Sequence, residues 1–227
     1  MASRVLKVGT TGDYRPFTSV DKTTGEYSGL DVDLARSLGA TLGAKVDFVP
    51  TTWANLAHDL GGAFDIAMGG ISVTLDRQKT GFFSAPYLRE GKAAIARCAD
   101  QAKYQTMADI DRPKVRVVTN PGGTNERFDR ARLHAADIIV YPDNLTIFDR
   151  LAEGDAGVMI TDPSETRFEQ KLHPNVLCAI HPDKPFDFGE KAFWMVPDPA
   201  LKAFVDQWLH LTMEDGEFDA LYGKWFR

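Results

Sequence analysis

The sequence predicts an α/β protein built from two lobes, the second inserted into the first. Apolar runs typical of buried strands alternate with helical patterns along most of the 227 residues, which indicates βα units. The pattern changes near Gly91, and a second βα series begins near Val115. Because the chain passes from one series to the other and back again, we predict a discontinuous first lobe, 1–92 and 190–227, and a second lobe, 93–189. A ligand cleft is expected between the lobes.

The first series begins with a predicted strand over residues 5–9. Leu30, Leu34, Leu38 and Leu42 then recur at helical spacing, so they predict an amphipathic helix over 29–42. The remaining predicted elements before the first crossing are a strand over 45–49, a helix over 53–60, a strand over 64–68 and a helix that starts at Thr74.

The second series follows a strand over 92–97 and a polar loop that continues through Arg112. Its predicted strands cover 115–119, 137–141 and 157–161, and its predicted helices cover 125–133 and 145–152. Residues 186–196 are predicted to form a strand that leads back to the first lobe, and residues 200–226 are predicted to be helical.

The two cysteines, Cys98 and Cys178, each follow a strand-like run. A disulfide between them would close a loop of about 80 residues and stabilise the protein by roughly 4 kcal/mol on the chain-entropy model. We expect this disulfide, which fits an oxidising compartment. The alternative is two free buried thiols.

Composition excludes several classes of function. The net charge is −6, so there is no basic face to neutralise the phosphates of a nucleic acid. No run approaches the ~20 apolar residues that span a bilayer, so we expect no membrane insertion. Residues 1–4 lead directly into the first strand, and we expect a native leader to be missing from this sequence. The motifs of P-loop, serine-hydrolase and histidine-metal sites are absent.

The segment TDPSE at 161–165 is the most informative motif, and it follows an apolar run typical of a buried parallel strand. An N-cap residue and a proline predict that a helix begins here. Asp162 and Glu165 therefore lie at the carboxyl end of a strand, where open α/β sheets bind ligands. One carboxylate would hold an ammonium group, and two, with one protonated, would do acid chemistry. The same residues also spell a capping box, and the segment alone favours neither interpretation.

The segment GGISVTLDR at 69–77 indicates a second binding element. Its glycines allow the backbone to approach a ligand closely. Arg77 falls in the first turn of a helix capped by Thr74, where a cation opposes the helix dipole. We therefore expect Arg77 to have an anionic partner, a ligand carboxylate that backbone N–H groups also hold. The alternative partner is Asp76 or a neighbouring acid.

Four further features are weaker candidates. Asp13 and Tyr14 follow the first strand and suit a ligand with an apolar body and a cationic group, although an ordinary turn explains them equally well. Trp53 would wall an apolar pocket, although a core tryptophan is more common. Lys92 lies at the apparent hinge, although most lysines are solvated. The GGT segment at 122–124 precedes a helix and is typical of an anion cradle, a weak signal because such loops are common.

These segments together resemble the periplasmic amino-acid-binding proteins of ABC transporters. The resemblance is carried by GDY at 12–14, PF at 16–17, GLDVD at 29–33, FDI at 64–66, SVTLDR at 72–77 and FSAPY at 83–87. It implies a two-lobed, type II periplasmic-binding-protein-like fold and a periplasmic location. It also implies that Arg77 binds a ligand's α-carboxylate, that Asp162 binds its α-ammonium group, and that Tyr14 packs on the ligand.

A closer resemblance is to the cyclohexadienyl dehydratases of that superfamily. It is carried by TTGDY at 10–14, YLREGK at 87–92, NPGGTNE at 120–126, PDNLTIF at 142–148, PFDFGEK at 185–191 and VDQWLH at 205–210. That family converts prephenate to phenylpyruvate and L-arogenate to L-phenylalanine, with loss of water and carbon dioxide. Residues 69–70 and 163–164 depart from the expected pattern, which affects the pocket shape but keeps the acid.

The closer resemblance implies that Glu165 is the general acid, that Lys92 and Asn120 position it, and that Trp53 lines the pocket. Burial in a water-poor cleft would favour a protonated Glu165 near neutral pH. Aromatisation drives the reaction, so we expect neither a cofactor nor a metal. The resemblance also implies a homo-oligomer, a trimer. The expected substrate-binding residues are Asp13, Tyr14, Trp53, Gly70, Ser72, Arg77, Gly123, Thr124 and Asp162.

The alternative function is that of a binding protein that delivers an amino acid to a transporter and catalyses nothing. Such a protein needs Arg77 and Asp162 but has no use for an acid at position 165. The pairing of Glu165 with Lys92, Asn120 and the glycines at 122–123 favours the enzyme. A degenerate dehydratase that only binds its ligand is a third interpretation.

Overall fold

Two five-stranded mixed sheets form the framework of the computed structural model, which describes residues 4–226. One sheet belongs to a unit made of the residues up to Arg89 and from Glu190 onward, and the other belongs to a unit of residues Glu90–Gly189. Lys92 therefore lies in the second unit, whereas the sequence analysis placed it at the end of the first lobe.

The first stretch of chain contains the parallel core of the first sheet. Its elements are β1 (Arg4–Thr10), β2 (Asp13–Tyr14), β3 (Thr18–Val20), β4 (Tyr27–Ser28), α1 (Leu30–Leu42), β5 (Ala44–Pro50), α2 (Leu56–Asp59), β6 (Ile66–Ala67), α3 (Leu75–Gln78), β7 (Phe82–Phe83) and β8 (Leu88–Glu90). Helix α1 buries Leu30, Leu34 and Leu38 and ends at Gly43, whose φ of +62° suits a glycine. The predicted amphipathic helix is confirmed.

The second unit follows the first crossing. Its elements are β9 (Ala93–Arg97), a 3-10 helix (Cys98–Lys103), α4 (Met107–Ile110), β10 (Arg116–Thr119), α5 (Thr124–Arg132), β11 (Asp137–Val140), α6 (Ile147–Glu153), β12 (Val158–Thr161), α7 (Pro163–Leu172) and β13 (Leu177–Ile180). The sheet has the order β11-β10-β12-β9-β13. The disulfide Cys98–Cys178 is present, as predicted.

Alternation along the strands explains why the second sheet is buried on both faces. Successive side chains of a strand point to opposite faces. In β12, Val158 and Ile160 join one apolar cluster, whereas Met159 joins the cluster on the other face. In β10, Val117 and Val118 divide in the same way. The near-continuous apolar runs of the sequence are therefore explained by apolar clusters on both faces of the sheet.

The last stretch of chain returns to the first unit. Its elements are β14 (Gly189–Lys191), β15 (Trp194–Met195), α8 (Pro199–Glu214) and α9 (Glu217–Phe226). β15 pairs antiparallel with β6 and β7, which completes a sheet of order β5-β1-β6-β15-β7. Because β15 enters the sheet interior, Trp194 is fully buried.

Several predicted boundaries were wrong for local reasons. The helix predicted over 53–60 is only α2, because Leu60 is extended and two glycines follow it. The return strand predicted over 186–196 is divided into β14 and β15. The C-terminal helical region is broken at Gly216, whose φ is +84°. The loop predicted through Arg112 contains the 3-10 helix and α4, which begins with a capping box at Thr106.

Within residues 4–226, no helix has both the length and the apolar character that crossing a bilayer requires.

Candidate active site

The candidate site of the second unit lies at one edge of its sheet, where three strands bring polar residues together. β10 and β12 are parallel neighbours, so their carboxyl ends, at Thr119 and Thr161, lie at the same edge. β9 runs antiparallel to β12, with Ala93 opposite Thr161. Lys92, which directly precedes β9, is therefore next to the end of β12 and to Asp162.

Lys92 is a buried lysine at the centre of this site. Its Nζ donates hydrogen bonds to Asp162 Oδ1 at 2.8 Å, to Thr124 Oγ1 at 3.1 Å and to Asn125 Oδ1 at 2.5 Å. The side chains of Lys92 and Asp162 are each only 7% exposed. A buried charge depends on its partner, because water does not replace the partner when it is lost. The structure thus brings together the predicted residues Lys92, Thr124 and Asp162.

Asn125 connects this cluster to Glu165 through one hydroxyl group. Its Nδ2 donates to Asn120 Oδ1 and to Thr161 Oγ1, both at 3.0 Å. Thr161 Oγ1 in turn donates to Glu165 Oε2 at 2.5 Å. Glu165 is 1% exposed. Asn125 and Thr161 were not predicted from sequence as site residues, although both lie inside segments that contain predicted ones.

The structure distinguishes the two interpretations of segment 161–165. Asp162 is the N-cap residue of α7, but within the described residues its side chain makes no capping hydrogen bond. The N–H of Ser164 instead donates to Glu90 Oε1 at 2.8 Å. A capping box requires the N-cap side chain as an acceptor, so Asp162 and Glu165 do not form one. The carboxylate of Asp162 binds Lys92, and that of Glu165 binds Thr161.

The expected anion cradle at 122–124 is partly filled by the chain itself. The N–H of Gly122 donates to Glu126 Oε2 at 2.7 Å. This hydrogen bond, followed by that from Arg130, lowers the pKa of the Glu126 carboxyl. Gly123 is the N-cap residue of α5, and Thr124 accepts the hydrogen bond from Lys92.

Asp129 is a buried carboxyl group on α5 that the sequence did not indicate. It is fully buried. Burial raises the pKa of Asp129 from 3.8 to about 7, and the nearby Thr119 hydroxyl and the charge of Lys92 only partly oppose this effect. The folded protein therefore binds a proton at Asp129 at pH values at which the unfolded chain has released it.

We expect Asp129→Asn to flatten the pH dependence of stability. Between about pH 4 and pH 7 the folded form holds a proton that the unfolded form lacks, so Asp129 makes the parent less stable as pH rises. As pH rises through this window, the difference in the free energy of unfolding between variant and parent should change by about 2–4 kcal/mol in favour of the variant. Urea unfolding at several pH values measures the difference. A constant difference from pH 4 to pH 8 would contradict the prediction.

The predicted residues of the first unit form an aromatic group. The rings of Tyr14 and Phe17 stack with centroids 5.1 Å apart, and the ring of Trp53 meets Tyr14 edge-on at 5.6 Å. Trp53 Nε1 donates to Asp13 Oδ1 at 3.1 Å. Trp53, which is 40 positions away from Asp13, is thus held in one arrangement with Asp13 and Tyr14.

Gly69 and Gly70 turn the chain after β6. A Cβ atom on Gly70, whose φ is +70°, would lie 2.5 Å from the Tyr14 ring. The N–H groups of both glycines donate to Asp31 Oδ2 at 2.7 Å, and the Tyr87 hydroxyl donates to the same atom. Burial raises the pKa of Asp31 to about 6, against the effect of these hydrogen bonds. The Gly70 N–H therefore binds the chain's own carboxyl group.

Arg77 lies in α3 with the cap that the sequence predicted. Its N–H donates to Thr74 Oγ1 at 3.2 Å, and its Nη1 donates to the Ser72 carbonyl at 2.8 Å. The side chain is buried. Asp76, the alternative partner considered from sequence, forms an ion pair with Lys79 at 2.8 Å. Segment 72–77 thus holds a buried guanidinium group beside its own backbone.

Lys191 is a first-unit residue that the sequence analysis missed. Its Nζ donates to Tyr14 Oη at 3.2 Å and to Ser72 Oγ at 3.0 Å, and it lies 4.9 Å from the centroid of the Tyr14 ring. An antiparallel bridge between Ser72 and Lys191 places it there. Only this long-range pairing reveals that a lysine near the return crossing contacts two predicted site residues.

Comparison with known proteins identifies the family. The family model for bacterial extracellular solute-binding proteins, family 3, matches residues 6–227. The chain belongs to this family. The match confirms the two-lobed, periplasmic-binding-protein-like α/β fold expected from sequence and a small-molecule ligand. The family description places its members outside the cytoplasm, which agrees with the disulfide Cys98–Cys178.

Individual relatives of this family 3 protein include an enzyme and a binding protein. Cyclohexadienyl dehydratase of Pseudomonas aeruginosa is 51% identical over 217 residues, which are 95% of this chain and 80% of the relative. The structure of an ancestral amino-acid-binding protein, described as a precursor of cyclohexadienyl dehydratase, aligns with a TM-score of 0.90 and 35% identity, covering 98% of this chain and 96% of its own. An ancestral cyclohexadienyl dehydratase aligns with a TM-score of 0.59 and 48% identity, covering 98% and 92%. The resemblance stated from sequence is confirmed.

Proposed function

We propose that this chain is a cyclohexadienyl dehydratase that converts prephenate to phenylpyruvate and L-arogenate to L-phenylalanine without a cofactor. The observation that carries the proposal is the buried carboxyl group of Glu165, bound by Thr161 and connected through Asn125 to Lys92. A protein that only binds amino acids has no need of this acid. The 51% identity to a cyclohexadienyl dehydratase supports the same function.

The ion pair of Lys92 and Asp162 supports the enzyme over the binding protein. In the amino-acid-binding proteins that the chain resembles, the acid matching Asp162 binds the ligand's α-ammonium group. Here Asp162 Oδ1 accepts a hydrogen bond from Lys92 Nζ at 2.8 Å. Lys92 thus neutralises the Asp162 carboxylate, which suits prephenate because its side chain carries a keto group where L-arogenate carries an ammonium group.

The proposed reaction transfers one proton from Glu165 to the ring hydroxyl group of the substrate. The C–O bond breaks and the hydroxyl group leaves as water. The bond from the ring to its carboxylate also breaks, carbon dioxide leaves, and the bonding electron pair completes the aromatic ring. Glu165 remains as a carboxylate and takes a proton from solvent, so each turnover consumes one proton. A positioned acid contributes roughly 10²–10⁴-fold to such a rate.

We assign substrate binding to the residues expected from sequence. The guanidinium group of Arg77 binds a substrate carboxylate, since charge-assisted pairs of this kind are strong and directional. Lys92 and Asn120 position Glu165. The aromatic group that contains Tyr14 and Trp53 packs on the substrate ring. The proposed substrate-binding set keeps the members expected from sequence, which are Asp13, Tyr14, Trp53, Gly70, Ser72, Arg77, Gly123, Thr124 and Asp162. The proposal also includes a periplasmic location and a homotrimer.

Arg77→Ala should raise KM for prephenate by roughly 10–100-fold, because a hydrogen-bonded charge pair contributes about 1.5–3 kcal/mol. The value of kcat should change much less. Arg77→Lys keeps the charge but loses the planar fork, so it should have an intermediate KM. Steady-state kinetics over a range of prephenate concentrations measures both constants. A KM equal to that of the parent in Arg77→Ala would remove this residue from the substrate site.

The first test of the function is phenylpyruvate formation from prephenate by the purified protein. The reaction is followed by the absorbance of phenylpyruvate in alkali, and the same preparation is titrated calorimetrically with amino acids. Catalysed turnover supports the dehydratase. No turnover together with tight binding of an amino acid would favour the transport receptor, the alternative that the similarity to an ancestral amino-acid-binding protein supports.

A further inference from the structure

The bond to Lys92 fixes the orientation of the Asn125 amide. A lysine ammonium group donates and cannot accept, so Asn125 must present its Oδ1 to Lys92 Nζ. The Nδ2 of Asn125 then faces Asn120 Oδ1 and Thr161 Oγ1, and it donates to both. Reversing the amide would place an NH2 group against an ammonium group. Lys92 therefore fixes the direction of the bonds from Asn125 to Asn120 and to Thr161.

This direction extends to the carboxyl group of Glu165. Thr161 Oγ1 accepts a hydrogen from Asn125, and a hydroxyl group has one hydrogen of its own to donate. That hydrogen points to Glu165 Oε2. Of the two oxygens of a protonated carboxyl group, the carbonyl oxygen is the better acceptor, so Oε2 is assigned as the carbonyl oxygen. A protonated Glu165 therefore carries its proton on Oε1.

We propose that Asn125 and Thr161 are positioning residues that hold the transferable proton of Glu165 on Oε1. The inference rests on the proposed function, because it concerns the acid of that reaction. The terminal torsion of a glutamate side chain is broad and roughly two-fold, so an unsupported carboxyl group exchanges its two oxygens freely. The bond from Thr161 removes this freedom and presents the O–H in one orientation.

The same bond also assists the reaction after the proton has left. When Oε1 gives its proton to the leaving hydroxyl group, Glu165 becomes a carboxylate and Oε2 gains negative charge. The Thr161 hydroxyl then donates a charge-assisted hydrogen bond, which is roughly twice as strong as a neutral one. Lys92 orients the other end of this series of hydrogen bonds, at Asn125. The Thr161 hydroxyl group thus contributes both to proton delivery and to stabilisation of the product carboxylate.

The test uses variants of Thr161 in the full chain with prephenate as substrate. Thr161→Val removes the hydroxyl group at nearly constant shape, and we expect kcat to fall about 10–100-fold, a part of what a positioned acid contributes. KM should stay within about threefold, because the substrate carboxylate is bound elsewhere. Thr161→Ser restores the hydroxyl group and should recover kcat to within about threefold of the parent.

Two further variants separate positioning from folding. Thr166→Val removes a different buried hydroxyl group, which lies on α7 and donates to the Pro163 carbonyl, and it should keep the parental kcat even if its melting temperature falls. Asn125→Asp keeps the size of the side chain but replaces the donor to Thr161 with an acceptor. The Thr161 hydrogen can then turn away from Glu165, so kcat should fall as in Thr161→Val.

The outcomes distinguish this inference from the proposed function. A parent without turnover, or a Glu165→Gln variant with full turnover, would overturn the function itself. An active parent and an inactive Glu165→Gln, with Thr161→Val as active as the parent, would overturn only the inference. Failure of Thr161→Ser to recover kcat would also overturn it, because the hydroxyl group would then not be the cause. Parental kcat in Asn125→Asp would remove Asn125 from the positioning role.

Discussion

Glu165→Gln should lower kcat for prephenate by about 10²–10⁴-fold, the contribution of a positioned general acid. Glutamine has the size of glutamate, and its amide oxygen can accept the hydrogen bond from Thr161, so the site should keep its shape. The amide group cannot release a proton to a leaving hydroxyl group. Substrate binding should therefore persist, and calorimetric titration of the variant with prephenate measures it directly.

A matched control for this substitution lies one turn further along α7. Glu169 is also a buried glutamate, and it lies 3.4 Å from the imidazole of His173. Glu169→Gln makes the same chemical change without altering the proposed acid, so its kcat should stay near that of the parent. If Glu165→Gln instead lost its fold and its ligand together, the carboxyl group of Glu165 would be structural. Thermal melting of both variants distinguishes these results.

Local sequence patterns predicted much of the fold because they reflect local physics. The spacing of Leu30, Leu34 and Leu38 specified α1, and the proline after Asp162 specified the start of α7. The strand-end rule also indicated Asp162 and Glu165 as ligand-site residues, whereas Asn120 was implied only by the resemblance to cyclohexadienyl dehydratases. Short elements such as β6 and β7 were less accessible, since two-residue strands are defined by their partners rather than by a repeat.

Long-range pairing explains the residues that sequence analysis missed. Lys191 reaches Tyr14 because a bridge joins it to Ser72, which is 119 positions away. Asn125 contacts Lys92 because β9 runs antiparallel to β12, a direction that no local pattern indicates. The roles of the glycines at 69–70 were also hidden, because the acceptor of their N–H groups is Asp31. Sequence therefore indicated the ends of the strands, whereas the network of contacts required the structure.

Lys92 is the second residue whose substitution should have a large effect on stability and kcat. The antiparallel pairing of β9 with β12 places it beside Asp162. Lys92→Met removes the ammonium group that pairs with the buried carboxylate of Asp162. Breaking one side of a buried ion pair typically destabilises a protein by about 3–5 kcal/mol, because the remaining charge is left without compensation. Asn125 also loses the donor that sets its orientation. We therefore expect lower stability in urea unfolding and a large loss of kcat.

The double variant Lys92→Met/Asp162→Asn distinguishes the two consequences. Neutralising Asp162 removes the uncompensated charge, so most of the lost stability should return, since replacing both members of a buried pair is often close to neutral. Turnover should not return, because the amide of Asn125 still has no lysine to orient it and Thr161 is then free to turn from Glu165. Recovery of both stability and kcat in the double variant would show that Lys92 serves only to neutralise Asp162. Recovery of stability alone would support a lysine that also organises the acid.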